Sequence, residues 1–255
     1  MKRTLKFAAM LLAVMAVVAT GCHKENNGNE NGGGNGGNNG GGGNPTTGTI
    51  NGHTWVDLGL PSGTLWATTN VGADTPEAYG DYFAWGETQP QADNAYSWSS
   101  YKYANGNSSN DPKITKYCYN ASYGNNGFTD TLTVLLPEDD AATANWGSGW
   151  RMPTQAELRE LKDNCTVTWT TRNGVNGRLF TAANGNSVFL PAAGRRWDGG
   201  LYNDGSNGVY WSSSLSTDYL LVAWYLYFVS DDDLMDYTYY RIYGFSVRPV
   251  CASQN

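Results

Sequence analysis

The stretch YLLVAWYLYFVSDDDLMDYTYYRIY, residues 219–243, carries the decisive strand pattern. Along Ala223–Val229 the side chains alternate, so Trp224, Leu226 and Phe228 share one face of a strand and Tyr225, Tyr227 and Val229 share the other. Ser230, Asp231, Asp232 and Asp233 make a polar turn. Beyond it, Asp236, Tyr237, Thr238, Tyr239, Tyr240, Ile242 and Tyr243 offer no clean apolar side to bury. An antiparallel hairpin with a solvated tip fits this order. Seven of the chain's 17 tyrosines fall here, and a tyrosine hydroxyl needs a partner when buried and is favoured where one end stays wet. Two side-chain torsions order a large amphipathic ring at little entropic cost, which is why tyrosine beside small and acidic residues marks recognition surfaces. The expectation is a binding face, and the competing reading is a two-sided strand pair packed between layers.

Around this hairpin, short strands separated by Gly and Asn turns are expected at Cys165–Thr170, Gly177–Thr181, Ser187–Leu190, Val209–Ser213 and Gly244–Val250. The clearest helix signal is GWRMPTQAELRELKDN, residues 149–164. Thr154 with Glu157 forms a capping box and Leu158 and Leu161 face inward, which predicts a helix over Gln155–Asp163. In Leu136–Ala142, Pro137 and the following acids suit a short helical turn. Residues 89–126, dense in Asn, Ser and Gly, read as long loops; Tyr79–Thr88 is an aromatic strand or loop, and Thr49–Asn70 holds two strands around Gly59–Gly63. With 32 glycines and 10 tryptophans, the composition favours short strands, tight turns and aromatic packing. The fold class is α+β, mostly short antiparallel strands with one or two short helices and long loops.

The amino terminus has a basic start, then an apolar run from Phe7 to Ala19 that is too short to span a bilayer. Residues 1–21 are therefore an export signal. Thr20 and Gly21 before Cys22 look like a bacterial lipobox, which implies cleavage before Cys22 and lipidation of its thiol. His23, Lys24 and Glu25 loosely resemble the signal that sends some Bacteroidota lipoproteins to the outer face of the outer membrane. Asn26–Asn44 is nearly all Asn and Gly and has no apolar surface to offset the entropy of ordering. Residues 22–48 are thus a tether, reaching tens of ångströms on random-coil scaling of about 5–6 Å times the square root of length. The folded domain is residues 49–255.

Removing the leader's Lys2, Arg3 and Lys6 leaves 13 basic residues against 23 acidic ones, a net charge near −10. Phosphate binding depends on clustered Lys and Arg, so nucleic acid is excluded as a partner. Only His23 and His53 exist, and His53 in an Asn-Gly turn reads as a solvated surface histidine, which leaves no base for a nucleophilic triad. No paired Cys or His spacing suits zinc. Glu138, Asp139 and Asp140, and Asp231–Asp233, lack the spacing of a calcium loop and read as a helix start and a solvated turn. No cofactor and no metal are expected, and the protein is expected not to be an enzyme. Cys118, Cys165 and Cys251 are an odd number in an oxidising compartment, consistent with one disulfide and one spare thiol, the pair left open. Arg151, Arg195, Arg196 and Arg248 are available as ion-pair partners.

The segments DLGLPSGTLWAT (57–68), YGDYFAWGE (79–87), PEDDAA (137–142), GWRMPT (149–154), NGVNG (173–177), LPAAG (190–194), YWSSS (210–214) and GFSVRPV (244–250) closely resemble the Fibrobacter succinogenes major paralogous domain. The resemblance covers nearly all of Thr54–Val250 and implies a secreted or lipid-anchored protein. The GWRMPTxxE helix followed by YWSSS and GFSVRPV is also similar to the C-type lectin-like fold, shared by formylglycine-generating enzymes and by the variable proteins of diversity-generating retroelements. The former use a closely spaced cysteine pair near the carboxyl end, where this chain has Cys251 alone; the calcium-dependent lectins' EPN and WND signatures are missing, Trp197-Asp198 matching only part of the latter. Related domains often carry cysteine where this chain has Thr69.

The retroelement comparison implies a carboxyl-terminal face in which fixed scaffold residues alternate with exchangeable ones. Ala223, Trp224, Leu226, Phe228, Ser230, Met235 and Arg241 fit the scaffold. The expected ligand-binding set is Tyr219, Val222, Tyr225, Tyr227, Val229, Asp231, Asp233, Asp236, Tyr237, Tyr239, Tyr240, Ile242 and Tyr243, with Leu220 and Leu221 also exchangeable. The expected function is an envelope-anchored, surface-exposed lipoprotein that binds a protein or glycan through this face. The alternatives are a structural or adhesive subunit of a surface assembly and a degenerate relative of the formylglycine generators.

Overall fold

Asn51-Gly52 takes positive φ at both residues, 49° and 80°, the twist that a two-residue hairpin requires. It joins strand β1 (Thr47–Ile50) to β2 (His53–Asp57), which pairs onward with β3 (Leu65–Ala67). The computed structural model describes residues 46–105, 111–231 and 235–253. The expected leader, Cys22 and most of the tether lie outside the described residues, and Thr47 and Gly48, expected in the tether, are paired in β1.

Within 89–126, expected as long loops, the described residues form only short elements: β4 (Ala104–Asn105) paired with β5 (Lys113–Ile114), and isolated 3₁₀ turns. Helix α1 (Ala141–Trp146) starts at Asp140, whose carboxylate accepts from the Thr143 amide. Helix α2 (Gln155–Asn164) has the complete capping box of Thr154 and Glu157, with Leu158 and Leu161 buried beneath it. It leads directly into the meander of β6 (Cys165–Arg172), β7 (Val175–Ala182) and β8 (Ser187–Pro191). A second ribbon, β9 (Arg195–Trp197) with β10 (Gly200–Tyr202), turns at Asp198-Gly199. Then come β11 (Gly208–Leu215), β12 (Val222–Phe228), β13 (Met235–Tyr240) and β14 (Val250–Cys251).

The larger sheets have the orders β1-β2-β3-β14, β6-β7-β8 and β11-β12-β13, and every paired strand is antiparallel. This is an α+β architecture of mostly short antiparallel strands. No helix among the described residues is long and apolar enough to cross a membrane. Gly244–Val250 was expected as one strand. It makes only single bridges, from Gly244 to Arg196, Phe245 to Phe83 and Ser246 to Tyr210, before β14 begins. The segment threads between elements instead of lying along one.

Two apolar cores flank β12. On one side Leu226 and Phe228 join Tyr210, Trp66, Val250, Phe180 and the two leucines of α2. On the other, Ala223 and Tyr225 join Trp211, Phe245, Val247, Trp85 and Trp150. Each fully buried large apolar side chain contributes roughly 1.5–3 kcal/mol, so both faces of this strand are committed to stability. The two-sided packing that competed with the binding face therefore holds for the centre of β12. Arg248, fully buried, donates to the carbonyls of Ala67, Thr68 and Phe189 and to Asn70 Oδ1. It was expected to pair with an acid. Burial pulls its pKa down to about 10. None of Cys118, Cys165 and Cys251 is in a disulfide, contrary to expectation.

Candidate functional site

The end of β13 turns sharply, the Tyr243 amide donating to the Tyr240 carbonyl at 3.2 Å. The Arg241 amide donates to Leu221 O and its carbonyl accepts from the Trp85 amide. That pair sends the Arg241 side chain inward, where it donates to Tyr117 O and lies 5.7 Å and 5.6 Å from the Trp85 and Tyr101 ring centres. Its neighbours Tyr240 and Ile242 face the other way. Gly244 then exchanges both backbone hydrogen bonds with Arg196, at 2.8 and 3.0 Å. A Cβ there would lie 2.6 Å from the Tyr96 ring and 2.9 Å from Arg196 Cβ, so only glycine allows this approach. The contact brings Tyr243 beside Trp197 of β9.

The β9–β10 ribbon is pinned at its tip. The amides of Asp198 and Gly199 donate to Ala95 O and Asn94 O, at 3.1 and 2.9 Å. The receiving loop is organised by Gln91, whose amide oxygen accepts from the Tyr96 amide and the Ser100 hydroxyl while its nitrogen donates to Glu87. This loop supplies Ser97 and Trp98.

The three segments and Tyr219 enclose a cleft of about 460 Å³, within the usual range of small-ligand sites, roughly 300–1,000 Å³. Its floor is apolar and buried, made of Trp98, Pro112, Leu221 and Ile242. Its rim is aromatic: Trp197, Tyr219 and Tyr240 are 38%, 40% and 40% exposed, and Tyr243 is half-buried among them. The Trp197 and Tyr243 ring centres are 5.7 Å apart with planes 34° from parallel, whereas Tyr219 and Trp98 meet Tyr240 edge-on at 6.3 and 6.1 Å. The Tyr219 ring lies beside that of Tyr240, and the Tyr243 ring meets that of Tyr239 edge-on. Burial, then the neighbouring phenols, pushes the Tyr243 hydroxyl up to about 12, and the Tyr219 hydroxyl is raised in the same way. Both are neutral donors at physiological pH. Among the described residues no Asp, Glu, Lys, Arg or His lines the cleft, and the Arg195 guanidinium lies 5.9 Å from the Tyr239 and Tyr243 ring centres.

Of the residues expected to bind ligand, Tyr219, Tyr240, Ile242 and Tyr243 line the cleft, Ile242 as buried floor. Tyr239 is half-buried and supports Tyr243 edge-on at 4.6 Å. Val222 and Tyr225 are corrections, because both are buried. The Tyr225 ring sits 5.1 Å from Phe245 and 6.0 Å from Trp211, and burial drives its hydroxyl far up. Leu220 is likewise buried and Leu221 is floor, so neither is freely exchangeable, whereas Trp224, expected as scaffold, is only half-buried. Val229 is partly covered, and its carbonyl accepts two bonds from Arg178. Tyr227 is half-buried, its hydroxyl 3.4 Å from Asn207 Nδ2. Tyr237 is 43% exposed and packs on Tyr227 at 6.1 Å, outside the cleft. Asp231 is exposed. The Asp236 backbone pairs with Leu226, and Asp233 lies outside the described residues.

Ser97, Trp98, Pro112 and Trp197 join the site without having been expected. The signal available for Trp197 was the Asp198-Gly199 turn that follows it, which marks a hairpin tip with a tryptophan at its base. Elsewhere, Asp139 is buried and accepts from Tyr103, Tyr117, Lys102 and Lys116. It was expected with Asp140 at a helix start: it ends the short 3₁₀ turn Pro137–Asp139, and Asp140 caps α1. His53, expected to be solvated, stacks on Trp146 at 3.7 Å, and burial lowers its pKa. Among the described residues no three His, Cys, Asp or Glu side chains converge as metal ligands. Comparison with known protein families, with curated proteins and with solved structures finds no match for this chain.

Proposed function

We propose that the protein is an envelope-anchored, surface-exposed lipoprotein whose C-type lectin-like domain grips a protein or glycan ligand through the aromatic cleft beside Tyr219–Tyr243. The observation that carries this reading is a rim of exposed Trp197, Tyr219 and Tyr240 over a buried apolar floor. Large aromatic rings left part-exposed around a concavity are costly to leave facing water and are the usual anchors of recognition sites. The Asn/Gly-rich tether after Cys22 supports the reading, because it would hold such a mouth away from the membrane.

The test is binding of the full chain to intact cells, alongside the Trp197→Ala and Tyr240→Ser variants. Both variants are expected to lose binding while the unfolding midpoint stays within a few degrees. Equal binding by wild type and variants would sink the cleft as the site. The resemblance to retroelement variable proteins is also carried forward, narrowed by burial. Exchange without loss of fold is now expected at Tyr219, Tyr237, Tyr240 and Tyr243, and not at Val222, Tyr225 or Ile242. Deep sequencing of the gene's 3′ end across isolates of one strain tests it. Variation concentrated at those four codons supports diversification, and invariance there rejects it.

A second reading, docking to a fixed neighbour in a surface assembly, is favoured by Tyr237, which is exposed outside the cleft. Loss of assembly in Tyr237→Ser with cleft binding intact would select it.

A further inference from the structure

We propose that the occupant of the cleft is an uncharged carbohydrate, held without a metal ion, its ring faces against Trp197 and Tyr243 and its hydroxyls on the phenols of Tyr219, Tyr240 and Tyr243. The proposal rests on the binding reading above and names the ligand class of that site. A sugar ring presents flat patches of C–H groups and an equatorial girdle of hydroxyls. It therefore needs aromatic faces to cover the first and mixed donors and acceptors to meet the second.

The cleft supplies both. Trp197 and Tyr243 form a splayed pair, 34° from parallel at 5.7 Å, a shallow trough whose outer ring is part-exposed. Beside it, Tyr219 and Tyr240 meet edge-on at 6.3 Å, both rings part-exposed. Each phenol offers one O–H donor and spare lone pairs to a ligand. On the trough side Tyr239 supports Tyr243 edge-on at 4.6 Å. Diols can use donors and acceptors held side by side, and this ring-on-ring packing fixes the phenols before the ligand arrives, so less ordering entropy is lost on binding.

Charge narrows the class further. Among the described residues no ionisable side chain other than tyrosine lines the cleft, the Arg195 guanidinium lies against the Tyr239 and Tyr243 rings, and the whole chain carries −7, so a uronic or sialic acid would find no cation in that lining to compensate its carboxylate. The described lining holds no carboxylate and so offers no ligand set for calcium. A peptide is the poorer fit. Its backbone amides would descend onto Trp98, Leu221 and Ile242, an apolar floor that could not satisfy them.

The experiment has two arms. In the first, the full chain in EDTA is titrated with maltohexaose, cellohexaose and mannohexaose, with oligogalacturonate as the acidic control, reading the fluorescence of Trp98 and Trp197. A saturable change with a neutral oligosaccharide, weakened about tenfold or more by Trp197→Ala and unaffected by Tyr237→Ser, is the expected result. In the second arm, the chain is bound to intact cells that are untreated, periodate-oxidised or protease-stripped. Loss after periodate but not after protease supports the carbohydrate. Loss after protease but not after periodate overturns it and leaves the aromatic cleft a protein-binding site. Binding in EDTA that vanishes and returns with calcium overturns the metal-free part. If neither arm gives binding that Trp197→Ala removes, this inference and the functional reading beneath it both fall.

Discussion

Tyr225 and Tyr237 are directly opposed in the register of β12 and β13, yet one is 6% exposed and the other 43%. Nothing in the alternation of the sequence separates them. The difference comes from Trp211 and Phe245, which arrive from other elements and close over Tyr225. Replacing Tyr225 with serine is expected to cost about 3–5 kcal/mol, as for other large aromatic truncations in a core. Tyr237→Ser should stay within about 0.5 kcal/mol. Urea unfolding of the two variants checks both, and equal losses would refute the assignment. Two buried carboxylates make a second prediction. Burial alone would raise Glu157 and Asp139, but the Arg151 guanidinium at one and the donors Lys116, Tyr103, Tyr117 and Lys102 at the other outweigh it, holding each near a pKa of about 2. Their ordinary values are 4.5 and 3.8. A folded-state pKa below the unfolded one gives stability that is complete above the unfolded value and lost as pH falls towards the folded one. The urea midpoint should therefore hold down to about pH 5 and decline between about 4.5 and 2. Asp139→Asn should be less stable at neutral pH and show a shallower acid decline.

At the scale of elements, what was legible was what is local. Helix α2 could be read because Thr154 and Glu157 lie three apart and cap each other, and the observed end differs from the expected one by a single residue. The β6–β8 meander was legible because alternation and its Asn-Gly turns act over a few residues, and the β12–β13 hairpin because alternation leads into the polar run Ser230–Asp233. The 244–250 segment was misread because its apolar alternation serves bridges to separate partners, one residue at a time. The cleft was half legible. Tyr219, Tyr240 and Tyr243 come from the tyrosine-rich hairpin, but Trp98 and Trp197 are delivered by a loop and a ribbon whose meeting depends on the Gly244–Arg196 bonds. Gly244→Ala tests that dependence. The clash with Tyr96 and Arg196 is expected to cost about 1–3 kcal/mol and to shift the fluorescence of Trp197 by displacing the ribbon. An unshifted spectrum with full stability would mean that the ribbon is held elsewhere.

At the scale of the molecule, the two ends of the domain are stitched to one another. Strand β14 completes the sheet begun by β1, β2 and β3, and the backbone of Val250 also exchanges two bonds with Arg151 just before α2. Val250 and Cys251 are fully buried. A chain ending at Pro249 is expected to fail to give a cooperative unfolding transition, whereas one ending at Ser253 should unfold as the full chain does. Circular dichroism on thermal denaturation distinguishes these outcomes. The tyrosine-rich hairpin needs the same closure, since Phe245 and Val247, which bed Tyr225 and Trp211, lie in the segment that leads to β14.

That stitch also sets a schedule. The first sheet's β3 edge waits for a partner about 185 residues downstream, and contacts of such long sequence separation must meet their loop-closure cost before they return any stabilisation. A chain emerging amino end first can zip its local meanders early, yet cannot lock until its last strand is released. Folding should therefore be slow, in the millisecond-to-second range of non-local topologies, and the nascent domain should stay thread-like enough to pass a narrow pore for almost the whole of its synthesis.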